Sequence, residues 1–139
     1  MTLFDIFSIV LAAGVNMTIG ALWYSSYIFG NRWFLLSGFD QSNPVEMERM
    51  KKDAKTSYAI AGINSLVIAF VLWFILQKIG VTHFSDAIFT AMVLWSGFVV
   101  TTSLTNTLFS KRGKELWAID TGYHGVGFVG MAIVLFIFL

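Results

Sequence analysis

Four long, mostly apolar runs, residues 6–27, 58–76, 87–109 and 116–139, constrain this chain more than anything else in it. A helix needs about 20 apolar residues to cross the roughly 30 Å hydrocarbon core of a bilayer, and each run has about that length. Membrane-spanning strands would show short segments of alternating polarity, and these runs are long and continuous, so helices are expected in place of a barrel. The expectation is an all-α integral membrane protein, a four-helix bundle forming a single transmembrane domain over residues 1–139. Composition agrees: the chain is 57% hydrophobic and only 12% charged, against about 25% charged in a soluble domain, too little to coat a water-soluble surface. Residues 1–6 carry Asp5 and no Lys or Arg, unlike the basic leader of a secretory signal, so the first run is expected to persist as a span.

Orientation follows from where Lys and Arg fall, because these residues are retained in the cytoplasm. The first loop holds Arg32, Arg49, Lys51, Lys52 and Lys55, and the third holds Lys111, Arg112 and Lys114, leaving only Lys78 in the second. Loops one and three are therefore expected in the cytoplasm of a bacterial inner-membrane protein, with both termini and the His83 loop on the outer side. Within loop one, Asn43-Pro44-Val45-Glu46 combines a capping residue, a proline at the first helical position and a glutamate at the third, which predicts a helix start. With no further proline, and no glycine before Gly62, that helix can run unbroken into the second span. Its lysines read as snorkelling, orienting charges, diluted by Asp40, Glu46, Glu48 and Asp53, with a specific anionic-lipid site as the alternative reading. Trp23, Tyr24, Tyr27, Trp33 and Trp117 fall where an interfacial aromatic belt belongs.

The polar residues inside the spans are one-sided. Counted from the cytoplasmic end at about 1.5 Å per residue, Asn106, Asp120, Asn64, Thr102 and His124 lie roughly 5 to 12 Å deep and Asn16 roughly 17 Å. Residues four apart share a helical face, which pairs Asp120 with His124, Thr102 with Asn106, and Asn16 with Gly20 and Tyr24. An unpartnered polar group in lipid is costly, so these stripes are expected to face one another. Asp120 lies in the first turns of its helix, where the macrodipole favours an anion, and its carboxylate is placed to accept a hydrogen bond from His124. Gly122, Gly125, Gly127 and Gly130, with Gly14, Gly20, Gly62 and Gly97, predict close helix packing. A short echo between Gly62-Ile63-Asn64 and Gly122-Tyr123-His124 is what a duplicated two-helix unit would leave.

Gly20-Ala21-Leu22-Trp23-Tyr24-Ser25, followed by Phe29-Gly30-Asn31-Arg32-Trp33 and by Gly122-Tyr123-His124 in the last run, resembles the bacterial membrane family catalogued as domain of unknown function 1761. The likeness runs the length of the chain. It implies a four-span bundle and no established activity. Ser26 stands where relatives often carry proline.

Several function classes drop out. A net charge of +1 with no clustered basic face argues against a nucleic-acid partner. No cysteine is present, no nucleotide-binding glycine loop or metalloprotease motif occurs, and Asp120 with His124 supplies two ligands where zinc takes three or four. No enzyme, cofactor or metal is expected, and His83 and His124 lie on opposite sides, too far apart to share a haem. Two readings remain. One is a small-solute, cation or proton transporter, working as a homo-oligomer through a cytoplasm-facing vestibule of Asn64, Thr102, Asn106, Asp120 and His124, with Asn16 and Tyr24 nearby. The other is a non-catalytic scaffold, or lipid- or partner-binding module, whose polar layer is structural.

Overall fold

The computed structural model describes residues 1–139 and is entirely helical. Helix α1, Leu3–Trp23, starts from a capping box in which the Thr2 hydroxyl accepts from the Asp5 amide and the Asp5 carboxylate accepts from the Thr2 amide. A bend follows, then a short helix α2, Gly30–Leu36, which the hydrophobic pattern does not announce. Helix α3, Pro44–Ile79, runs 36 residues without a break from its Asn43 cap, whose side chain accepts from Val45 N and Glu46 N. The third span consists of α4, Phe84–Leu94, a six-residue π-helical turn, Trp95–Val100, and α5, Thr101–Phe109. Helix α6, Lys114–Phe138, completes the chain. Four helices are thus long and apolar enough to cross a membrane, and the chain is a multi-pass membrane protein.

The first span is shorter than its apolar run, ending at Trp23 instead of continuing to Tyr27. The reason is a tight reversal in which Phe29 N donates to Trp23 O and Gly30 N donates to Ser25 O, at 3.0 and 2.8 Å. Gly30 is obligatory there, since a Cβ would collide with the carbonyls of Tyr24 and Ser25. The chain therefore turns without a proline at Ser26. Helix α3 ends on Gly80 in the left-handed region (φ 71°), with Val81 N closing onto Leu76 O. The same six-to-one closure ends α5 through Lys111, a non-glycine at φ 55°, with Arg112 N on Thr107 O.

Helix α6 is the axis of the bundle, packed along α1 and α4, while α3 lies mainly against α1. The apolar core sits away from the basic loops: Ile9, Ala12, Ala69, Leu72, Leu76, Ala87, Ala91, Met131 and Leu135 are among its buried members. Edge-on pairs Phe7–Phe138 and Phe84–Phe136 close that end. At the other end, the basic end, α3 leaves the bundle, for its first buried residue is Ser65 and everything before it is exposed or half-buried. At about 54 Å, α3 exceeds the roughly 30 Å core, and its excess carries the charged stretch from Glu46 to Lys55.

Candidate functional site: a polar cleft on the last helix

The departure of α3 uncovers one face of α6. That face is the floor of a cleft of about 330 Å³, walled by Tyr24 from the end of α1 and by Ser103, Asn106, Thr107 and Ser110 from α5 and its cap. Trp117, Asp120, Thr121, Tyr123 and His124 line it from α6, and Arg112 covers its mouth. No α3 residue lines it.

Asp120 organises the site, but its partners are not the expected ones. Its Oδ1 accepts from the Tyr24 hydroxyl at 2.7 Å and from Trp33 Nε1 at 3.1 Å, and its Oδ2 faces Arg112 Nη2 at 3.4 Å. His124 makes no hydrogen bond to it. The imidazole packs on the Tyr123 ring at 4.8 Å between centroids, and Tyr24 meets Tyr123 edge-on at 5.5 Å. The residues at 120 and 124 do share a face, as their spacing requires, yet the carboxylate is captured by a phenol and an indole from other helices. Both donors are fixed by the bend at Gly30, which folds α2 back so that Trp33 reaches α6. Beside them Arg32 pairs with Glu115 through two hydrogen bonds of 2.6 and 2.8 Å. That carboxylate raises the Arg32 guanidinium above its ordinary range through their hydrogen bonds.

Indoles do most of the remaining polar work. Trp23 Nε1 donates to Ile119 O at 3.0 Å, Trp95 Nε1 to Thr121 O at 2.9 Å, and Trp117 Nε1 to Ser103 Oγ at 2.9 Å, with Ser103 Oγ 3.2 Å from Thr121 Oγ1. With Trp33 on Asp120, four of the five tryptophans bond within one segment of α6 or its neighbour Ser103. The glycines of α6 make room for them: a Cβ on Gly122 would meet the Trp23 ring at 3.1 Å, and one on Gly125 the Trp95 ring at 2.9 Å. Gly20 seats the Tyr123 ring and Gly127 the Asn16 side chain, whereas Gly14, Gly62 and Gly97 have nothing within 4 Å and take no part in packing.

Three residues expected at the site stand elsewhere. Asn64 is exposed, and its neighbour Ser65 is the residue turned inward, accepting from Asn16 Nδ2 at 2.8 Å. Asn16 is therefore a buried link between α1 and α3, outside the cleft. The echo between Asn64 and His124 fails with it, because one points away from the bundle and the other lines the cleft. Thr102 is also exposed, lying with Thr101, Thr105 and Asn106 in a shallow groove of about 270 Å³ on the outside of the third span. Its hydroxyl is taken up by Phe98 O of its own helix. Asn106 is exposed at the rim common to both depressions.

The π-helical turn accounts for the third-span error. Ala87 and Ala91 face the bundle, and an unbroken α-helix would carry that face through Phe98 and Thr102. A π turn takes in about one extra residue and so delays the phase by roughly 100°. Trp95, one turn after Ala91, keeps the inner face, and beyond the π turn Ser103 and Thr107 take it over. Sequence reasoning missed Trp95, Ser103, Thr121, Ser65 and Arg112; of these only Trp95 left a signal, in Gly125, which opens a notch for its indole three residues after the one that Gly122 opens for Trp23.

No three His, Cys, Asp or Glu side chains converge as a metal set would. The cleft offers one carboxylate, one guanidinium, an imidazole and several hydroxyls, a set suited to binding a small polar group. A family model described as a protein of unknown function (DUF1761) matches residues 7–136. No curated protein and no solved structure matches the chain.

Proposed function

The chain belongs to the DUF1761 family of proteins of unknown function, and for this member we propose a non-conducting membrane module that binds a polar ligand or partner in its cleft. The observation that carries the reading is the contrast along α6. Asp120 is already engaged by Tyr24, Trp33 and Arg112, and beyond His124 the helix is sealed by Leu72, Leu76, Met131, Ala132 and Leu135, each 1% exposed or less. An ion leaving the cleft would meet a dry, close-packed interior. Such a seal makes a binding site easier to support than a pore. No catalysis is assigned to the site.

With eight of the nine basic residues at the cleft end, the proposal places that end in the cytoplasm of a bacterial cell, with both termini outside. The chain has no cysteine, so single cysteines at Ser42 and His83 report sidedness directly. Labelling of position 83 alone by an impermeant maleimide on intact cells is the expected result, and labelling of position 42 alone would reverse the orientation.

A second reading, transport by a homo-oligomer, draws on the outward groove of Thr101, Thr102, Thr105 and Asn106. Only 11% of the apolar window of the third span is buried, against 22–33% in the other three, so copies associating there would bring those polar groups onto a shared axis. Flux measurements separate the two readings. In liposomes under a proton or potassium gradient the wild-type protein should leak no faster than empty vesicles, whereas a flux abolished by His124→Ala or Asn106→Leu would establish transport instead.

A further inference from the structure

We infer that the cleft takes the headgroup of an aminophospholipid, with a primary ammonium at Asp120 and a phosphodiester at Arg112, entering sideways through the opening that α3 leaves. The inference rests on the reading of the chain as a binding module and names its ligand.

Charge selects the headgroup. A purely anionic group at the mouth would face Asp120, and a purely cationic one would face Arg112. A group carrying both charges a few ångströms apart satisfies both. The existing pair is open to such insertion, for its 3.4 Å separation is long for a charged hydrogen bond and the two side chains are 53% and 29% exposed. Asp120 is held from behind by Tyr24 and Trp33 through Oδ1, which leaves Oδ2 as the cleft-facing acceptor. Arg112 uses one of its five N–H donors, and the rest are free for phosphate oxygens. One turn further in, the His124 nitrogens have no partner in the protein. The imidazole offers a nitrogen acceptor for a second ammonium N–H, and Tyr24 and Trp117 line the same cleft.

Geometry selects a lipid over a soluble zwitterion. The cleft is lined along α6 from Trp117 to His124, inside a helix long and apolar enough to cross a membrane, and no residue of α3 walls it, so a lipid can reach it from the side. The basic-end part of α3 and the outer face of α5 expose apolar side chains, Ile60, Ile63 and Leu108 among them, as surfaces in contact with acyl chains do. A cleft of about 330 Å³ is at the small end of the roughly 300–1,000 Å³ of ligand sites, enough for a headgroup alone. The acyl chains would remain in the bilayer.

The test uses the full-length protein in detergent micelles carrying equal amounts of phosphatidylethanolamine, phosphatidylglycerol and phosphatidylcholine of identical chains. Bound lipid is counted by native mass spectrometry. Phosphatidylethanolamine should be retained about tenfold over the other two, the ratio that a single charge-assisted hydrogen bond confers. Arg112→Gln, in an exposed turn, should reduce the total of bound lipid about tenfold without unfolding the protein, since the phosphodiester is common to all three. Asp120→Asn, checked for folding by its near-ultraviolet spectrum, should shift the preference toward phosphatidylglycerol. Equal retention of the three lipids, a preference for phosphatidylcholine, whose ammonium has no N–H, or an unchanged Arg112→Gln variant would overturn the inference. So would soluble phosphoethanolamine competing as well as the lipid. No gradient enters this experiment, so its failure is distinct from a liposome flux that would remove the binding-module reading.

Discussion

The two halves of the bundle are held by different forces. Away from the basic loops, alanines, leucines and Met131 interlock between four helices, and one polar link, Asn16 to Ser65, crosses the edge of that region. At the basic end only three spans and the short α2 remain together, and what joins them is a set of directed bonds from indoles and a phenol onto α6. Lipid tails are as apolar as leucine, so burying leucine gains little between membrane helices and close fit does the work. Directed bonds also fix geometry, which is what a site needs. The half that forms no dense core is thus the half that positions functional groups.

That contrast can be broken experimentally, most severely at Gly30. An added methyl would strike two backbone carbonyls of the preceding bend, so Gly30→Ala should cost roughly 3 kcal/mol or more. In detergent it should abolish the near-ultraviolet tryptophan signal of the basic end at temperatures where the helix content survives. Survival of that signal would mean that α2 does not need the bend. Next in size, Asp120→Ala removes the acceptor shared by Tyr24 and Trp33 and should lower stability by about 2 kcal/mol, read as an earlier thermal transition. A loss below about 0.5 kcal/mol would place the variant among neutral surface changes and show the basic end to be held by packing after all. Smallest is Trp73→Phe in the other half. Trp73 Nε1 is the one buried side-chain nitrogen or oxygen without a partner, so deleting it should leave stability unchanged or raise it by up to about 1 kcal/mol.

Reading the sequence went furthest where one residue type acts alone through solvent. The spans, the Asn43 cap and the continuous α3 were all legible, because hydrophobic length and capping chemistry are local properties. The site was legible by region and wrong in detail. Spacing identifies which residues share a face, and it does not say where that face points. Asn64 and Ser65 differ by one position and about 100°, and packing against Asn16 chose the serine. At Thr102 the error came from a π turn over Trp95–Val100, whose one extra residue a 3.6-residue periodicity does not anticipate. At Asp120 it came from the long reach of Tyr24 and Trp33, 96 and 87 residues away: Tyr24 belongs to the expected site but not as the partner of Asp120, and Trp33 reads only as part of an interfacial belt.

What the amino-acid sequence determined by itself is the solvent and the plan: a chain this apolar must satisfy its backbone within helices, and its four runs are each long enough to cross a bilayer. The tertiary structure alone decided that α3 would leave the bundle, that Asp120 would be bound by an indole and a phenol instead of its helical neighbour, and that the polar layer would become an open cleft. Those outcomes depend on the rotation of each helix about its axis. Helix rotation in lipid is set by side-chain fit and directed hydrogen bonds between partners distant in sequence, energies that no local pattern of residues encodes.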